Sequence, residues 1–199
     1  MKMRLLVFSD IHNDLEALKR IVVRKADIYL LLGDLSTLGN GLEKGGKILS
    51  CLKEKLWLMP GNNETWKQTK TLCERYGFVD FHQKVKKVGN FVFAGLGYST
   101  FTPFNTLGEI SEEEFEKALK AFEGFQNLCL FCHNPPKDTE LDIIPGGAHV
   151  GSQAIKDFIE KERPIYFFSG HIHENEGKVQ RLGKTKCFGV GKKGLEIWL

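Results

Sequence analysis

Arg4-Leu-Leu-Val-Phe8-Ser9-Asp10-Ile11-His12, then Ile28-Tyr-Leu-Leu-Leu32-Gly33-Asp34, then Leu56-Trp-Leu-Met59-Pro60-Gly61-Asn62 repeat one pattern: a short apolar run followed by a polar side chain. Runs of four or five apolar residues read as buried strands. Helical spacing fills the gaps between them. Asn13 or Asp14 can cap a helix that places Leu15, Leu18, Ile21 and Val22 on one face. A second helix is expected around Glu43 to Leu52 and a third from about Glu64 to Tyr76, with Glu64 near its positive end. This β-α-β-α-β-α order calls for parallel strands joined by crossover helices.

The middle of the chain reads differently. His82 to Val88, Gly89-Asn90 and Phe91 to Leu96 form a hairpin pattern. Ser111, with Glu114 three residues on, is a capping box for a helix to Phe122. Strands are expected at Leu128 to Phe131 and Ile165 to Phe168, with a helix from about Gly151 to Lys161 between them. Lys178 to Leu182, Lys184 to Phe188 and Leu195 to Leu199 look like an antiparallel meander. No repeat or linker interrupts residues 1–199, so one α/β domain is expected, helices outside and sheets inside.

The pattern of the first three strands continues in the second half. Leu128-Cys-Leu-Phe-Cys132 leads into His133-Asn134, and Ile165-Tyr-Phe-Phe168 into Ser169-Gly170-His171-Ile172-His173. In open α/β sheets, ligands bind beyond the carboxyl ends of the strands. Five tips brought together would collect Asp10, His12, Asp34, Asn62, His133, His171 and His173. Gly33, Gly61 and Gly170 allow sharp turns and close approach there. Each feature alone has an ordinary reading as a cap, a turn or a surface histidine. Five in order and in phase with the strands specify a site. Seven nitrogen and oxygen ligands exceed the needs of one ion, so two ions sharing a carboxylate fit better, as in two-metal hydrolases. Imidazole with carboxylate and no thiolate favours manganese, with iron, nickel or zinc as alternatives.

Composition sets limits. The chain has 199 residues, 42% hydrophobic and 27% charged, with a formal net charge of +3. So small a charge does not call for nucleic acid. The apolar run at the N-terminus stops at Phe8, and no segment approaches the roughly 20 apolar residues of a membrane span, so a cytoplasmic protein is expected. The five cysteines, Cys51, Cys73, Cys129, Cys132 and Cys187, read as reduced and mostly buried thiols. Cys129 and Cys132 lie in a strand with no second pair to complete a zinc site.

Asp10-Ile-His12, Gly33-Asp34, Gly61-Asn62, His133 and Gly170-His-Ile-His173 resemble the motif set of the calcineurin-like metallophosphoesterases, in particular a small single-domain phosphodiesterase branch. The resemblance spans residues 10 to 173. It implies a β-sandwich of two mixed sheets flanked by helices, in α-β-β-α layers. It also implies one metal on Asp10, His12, Asp34 and His173 and another on Asp34, Asn62, His133 and His171, with Asp34 bridging. The implied reaction is hydrolysis of a phosphate ester by in-line attack of a bridging hydroxide. One position departs from the pattern. Most members carry a histidine after the motif Asn, contacting substrate or protonating the leaving oxygen, where this chain has Asn63. Loss of general-acid help matters most for poor leaving groups, so a bias towards diesters or activated esters is expected.

His149, in the loop Gly146-Gly-Ala-His-Val-Gly-Ser152, is a candidate to reach the phosphate in place of the missing histidine. Asn134 is a candidate to orient a ligand or contact substrate. His82 reads as structural, and Lys84, Lys86 and Lys87 as a solvated strand edge. Phe101, Pro103 and Phe104 would wall the cleft or form a protein contact, and exposed aromatics in the 97–110 loop would suit a homodimer. The expected partner is a small phosphate ester, with no membrane. Two alternatives of the same fold are a metal-binding protein-interaction scaffold, which would have no need of all seven ligands, and a nuclease, which the small net charge does not encourage.

Overall fold

A computed structural model describes residues 2–199. In chain order it contains β1 (Arg4–Phe8), α1 (Leu15–Val22), β2 (Ile28–Leu31), α2 (Leu42–Leu49), β3 (Leu56–Leu58), α3 (Trp66–Tyr76) and β4 (Val79–Asp80). There follow β5 (Lys84–Val88), β6 (Phe91–Leu96), α4 (Glu112–Leu119), β7 (Leu128–Cys132), α5 (Gln153–Glu162), β8 (Tyr166–Ser169), β9 (Val179–Leu182), β10 (Thr185–Gly189) and β11 (Leu195–Trp198).

Two mixed sheets result, one in the order β11-β1-β2-β3-β4 and the other β5-β6-β7-β8-β10-β9. The alternation of strand side chains builds four layers. Leu5, Val7, Leu30, Leu32, Trp57 and Met59 of the first sheet, with Phe81 just past β4, meet Phe93, Cys129, Phe131, Phe168 and Phe188 of the second in a shared core. On the outer face of the first sheet, Leu6, Phe8, Leu31 and Leu58 pack under Leu18, Ile21, Leu49 and Leu72 of the helices α1 to α3. On the outer face of the second, Ala94, Leu130, Cys132 and Phe167 pack under Phe115 of α4 and Ile155 and Ile159 of α5. The α-β-β-α sandwich is therefore the observed architecture. Phe131, Phe168 and Phe188 stack in a row with centroid spacings of 4.9 Å. Burying each such ring contributes about 1.5–3 kcal/mol.

The same alternation settles the cysteine pair. Cys129 faces the core between the sheets and Cys132 the core beneath α4 and α5. Residues three apart on a strand point to opposite faces, so the two thiols cannot share an ion. All five cysteines are free, and burial pushes Cys129 up to about 12.

Three expectations need correction. The C-terminal meander is not one. β9 and β10 pair antiparallel in the second sheet, but β11 crosses to the first and pairs antiparallel with β1, Arg4 opposite Trp198. Glu64 does not cap α3. Thr65 does, through a capping box with Gln68, a Thr-x-x-Gln signal present in the sequence. The second helix ends at Leu49 and passes into tight turns through Lys55, where Lys53 takes a φ of 47°. The other caps fall on Asp14, Ser111 and Ser152. No helix among the described residues is long and apolar enough to cross a membrane.

Candidate metal centre

β1, β2 and β3 are parallel neighbours in one sheet, and β7 and β8 in the other. Their carboxyl ends therefore open on one edge of the sandwich, and the loops there are tied directly to one another. The Asp10 N–H donates to Gly33 O and the His12 N–H to Asp34 O. The His171 N–H donates to both carboxylate oxygens of Asp10, at 3.1 and 3.0 Å. Glycine makes this closeness possible: a Cβ on Gly61 would lie 2.0 Å from Asp34 Oδ1, and one on Gly170 2.5 Å from Asp10 Oδ2.

Asp10, His12, Asp34 and His171 adopt φ of 57°, 44°, 54° and 70°, a left-handed conformation that non-glycine residues seldom take. Strain of this kind, on the order of 1 kcal/mol or more per residue, gathers at functional sites. It left no mark in the sequence.

All seven ligand candidates come together. The ligand atoms of Asp10, His12 and His173 lie within 4.8 Å of one another, as do those of Asp10, Asp34 and His133. Asp34 Oδ2 stands 3.4 Å from His12 Nε2 and 3.6 Å from His133 Nε2, between the two groups. Asn62 Oδ1 stands 2.9 Å from both His133 Nε2 and His171 Nδ1.

The chemistry of these contacts tests whether cations fit. His133 Nδ1 faces Leu32 O at 2.9 Å. A carbonyl only accepts, so Nδ1 carries the ring proton and Nε2 presents a lone pair to Asn62 Oδ1, another acceptor. Burial drives His133 down to about 3, which removes the option of protonating both nitrogens. His12 Nε2 and His173 Nε2 meet at 3.0 Å, with His12 pushed down to about 4 by burial and then by His173. Burial, and then the neighbouring Asp34, raises Asp10, while burial raises Asp34 to about 7. Ring nitrogens and buried carboxylates converging this closely are what divalent cations satisfy.

The residues around this cluster hold it in place. Asn63 is buried; its backbone N–H donates to Asp34 Oδ1 at 2.8 Å and its side-chain amide to Asp34 Oδ2 at 2.7 Å. Its own Oδ1 accepts from Leu38 N, so the whole side chain is engaged inside the protein and orients Asp34. Glu64, fully buried, ties two loop segments together: Oε1 accepts from the Ser36 N–H and hydroxyl, and Oε2 from the Asp34 and Gly61 N–H groups. Sequence reasoning missed this role, since it depends on the tips of β2 and β3 meeting.

Asn134 is fully buried, with one long contact to Pro135 O and an unpartnered Oδ1. His149 pairs through Nδ1 with buried Asp142 at 2.7 Å and has none of the seven ligands among its hydrogen-bond partners. His82 is buried and accepts from the Gly97 N–H, a structural placement.

A cavity of about 360 Å³ opens beside the cluster, lined by Asp10, His12, Asp14, His173, Gly191 and Lys192. Lys192, missed in the sequence, lays its ammonium 3.0 Å from Asp14 at this mouth. A larger cavity, about 510 Å³, lies between α4 and α5 among Glu112, Glu116, Lys120 and Asp157. It holds none of the ligand residues, so size alone does not mark the site.

The model of one family, the calcineurin-like phosphoesterases, matches residues 3–175. An uncharacterized protein of Methanocaldococcus jannaschii is 34% identical over 191 residues, covering 92% of this chain and 85% of that one. Among solved structures, a protein of Thermus thermophilus superposes with a TM-score of 0.71 at 17% identity, covering 97% of this chain and 91% of the other. A structure described as a novel archaeal phosphodiesterase superposes with a TM-score of 0.55 at 13% identity, covering 99% and 100%. At these identities the two structures speak for the fold.

Proposed function

The chain belongs to the calcineurin-like phosphoesterase family, a family of divalent-metal-dependent phosphoester hydrolases, and from that premise we propose that it is a two-cation phosphodiesterase. The observation that carries this reading is Asp34 Oδ2 between His12 Nε2 at 3.4 Å and His133 Nε2 at 3.6 Å, a carboxylate placed to serve two ions. One ion would be held by Asp10, His12, Asp34 and His173, the other by Asp34, Asn62, His133 and His171. When bound, the pair supplies Lewis-acid stabilisation of phosphoryl oxygens and a water acidic enough to attack at neutral pH. Manganese suits this oxygen and imidazole set, with iron, nickel or zinc as alternatives.

The chain's own residues do the rest. Asn63 and the backbone hold Asp34 in one orientation, and Leu32 O holds His133 in one tautomer. Lys192 lines the mouth of the cavity in an ion pair with Asp14, with Glu176 in the same lining. The preference for diesters rests on Asn63. An amide cannot protonate a leaving oxygen, and this one is already committed to Asp34 and Leu38. Substrates whose leaving groups need no proton are then favoured. The archaeal phosphodiesterase of the same fold agrees with this choice.

The test is hydrolysis of bis(p-nitrophenyl) phosphate against p-nitrophenyl phosphate by metal-stripped protein resupplied with manganese. Diester cleavage that requires the metal and exceeds monoester cleavage is expected. No cleavage of either ester with manganese, nickel, zinc or iron, despite stoichiometric binding, would favour a metal-binding scaffold instead.

His149 is assigned the remaining proton-transfer role. Its Nδ1 is engaged by Asp142, which leaves Nε2 for a substrate oxygen. What supports this is the tie of its loop to the segment after His173: Ile143 pairs with His149, and Ile143 O accepts from the Asn175 side chain. The expected result for His149→Ala is about a 100-fold loss on a diester with an alkoxide leaving group and little change with p-nitrophenolate. Equal slowing of both would assign His149 a structural part only.

A further inference from the structure

We infer that Thr106, itself held by Glu109, is the positioning residue that keeps the Asn62 side-chain oxygen turned into the metal centre. The inference rests on the two-cation reading above. An asparagine amide has nearly the same shape either way round, with an acceptor on one side and two donors on the other. Without a cation, His133 favours the wrong way round. His133 Nε2 and His171 Nδ1 both lie 2.9 Å from Asn62 Oδ1. The His133 nitrogen presents a lone pair, because its ring proton faces Leu32 O. Turning the amide over would give that lone pair a donor and place an NH2 group where the second cation must sit.

What opposes the turn lies outside the centre, in the loop between β6 and α4. Asn62 Nδ2 is 2.9 Å from Thr106 Oγ1. The Thr106 hydroxyl donates to Glu109 Oε1, which also accepts from the Thr106 N–H at 2.8 Å and from the Thr102 hydroxyl at 2.6 Å. An ionised carboxylate only accepts. The single proton of the Thr106 hydroxyl is therefore committed to Glu109, and its oxygen has only lone pairs to offer Asn62. The polarity runs one way through the chain: Glu109 accepts, Thr106 donates and in turn accepts, and Asn62 must point its NH2 outward and its oxygen inward. The Gly108 N–H, bonded to Asn62 O at 2.9 Å, fixes the loop to the same residue. One metal ligand is thus oriented by the 97–110 loop, whose Phe101 and Phe104 are largely exposed, 71% and 78%.

The test compares Thr106→Val, Thr106→Ser and Glu109→Ala with the wild-type chain by calorimetric titration of manganese into metal-free protein. Two ions are expected for the wild type. Thr106→Val and Glu109→Ala are expected to weaken the second ion about 10- to 100-fold, a usual cost of losing such a support, with the first ion unchanged. Thr106→Ser, which restores the hydroxyl, should return the second ion to wild-type affinity. Both ions binding Thr106→Val as they bind wild type, or both weakening alike, would overturn the proposal. A second readout needs no metal: the Asn62 side-chain NH2 protons, followed by NMR, should exchange slowly in wild type and Thr106→Ser and rapidly in Thr106→Val. Equal exchange in all three would also overturn it. A wild-type chain that takes up fewer than two ions would sink the two-cation reading, and the amide signal would then decide the relay by itself.

Discussion

The Asp34→Asn variant is expected to hydrolyse bis(p-nitrophenyl) phosphate at least about 1,000-fold more slowly than wild type, and to lose an ion from its stoichiometry. The argument is one of charge and position. Asp34 Oδ2 is the oxygen that lies within 3.6 Å of ring nitrogens from both ligand groups. An amide there has no net charge and one acceptor instead of two. Its NH2 would also face a donor, since Asp34 now accepts from the backbone N–H of Asn63 on one oxygen and from its side chain on the other. Removing the shared charge removes several kcal/mol of stabilisation from a site built for it, and each 1.36 kcal/mol is tenfold in rate. Loss of activity with both ions still tightly bound would show that Asp34 serves the reaction but does not bridge. Activity within tenfold of wild type would sink the two-cation mechanism.

Much of this site is readable in the sequence, for a physical reason. Short apolar runs must be strands, and the residue after each run must sit at a strand tip, so Asp10, Asp34, Asn62, His133 and His171 can be placed from the sequence alone. What stays hidden there depends on tertiary approach. β11 reads as a third meander strand because alternation says nothing about the partner, and only the fold seats it on β1. β4 has two residues, too few to show any period. Glu64 sits where a helix start is expected, and only the meeting of the Asp34–Ser36 loop with the Gly61 loop makes it a buried tie. Thr106 and Glu109 belong to a loop with no motif, and their part follows from a hydrogen-bond direction rather than a pattern. The Thr65 cap, by contrast, has a legible signal in Gln68, three residues on, which the more conspicuous Glu64 masks.

Glu64→Gln is expected to destabilise the protein by about 2–4 kcal/mol. In the wild type the two carboxylate oxygens accept four bonds, from the Ser36 N–H and hydroxyl at 2.7 and 2.8 Å and from the Asp34 and Gly61 N–H groups at 3.0 and 3.1 Å. Glutamine has one acceptor oxygen. Whichever way it lies, its NH2 meets at least one buried N–H, Ser36 on one side or Asp34 and Gly61 on the other, and that donor must stay unpaired or move. The same residue also gives metal-free protein a pH dependence. Burial, and then the charge of Asp34, lifts Glu64 to about 8 despite its four donors, and burial lifts Asp34 to about 7. A carboxyl raised in the folded state holds a proton that the unfolded chain has already released. Its contribution to stability is full below the ordinary carboxylate range and is lost as pH rises through 7 and 8. His133, pushed down to about 3, contributes in the opposite sense, but that contribution is lost only as pH falls below about 6.5. Urea unfolding of metal-free wild type should therefore show less stability at about pH 8.5 than at about pH 6.5. Saturating manganese should reverse this, because the cations favour the ionised carboxylates. Glu64→Gln should show a shallower fall across the same interval, on top of its lower overall stability. Metal-free wild type that gained stability from pH 6.5 to 8.5 would mean that these carboxylates are already ionised without the cations, and that the cluster does not need them to hold its charge.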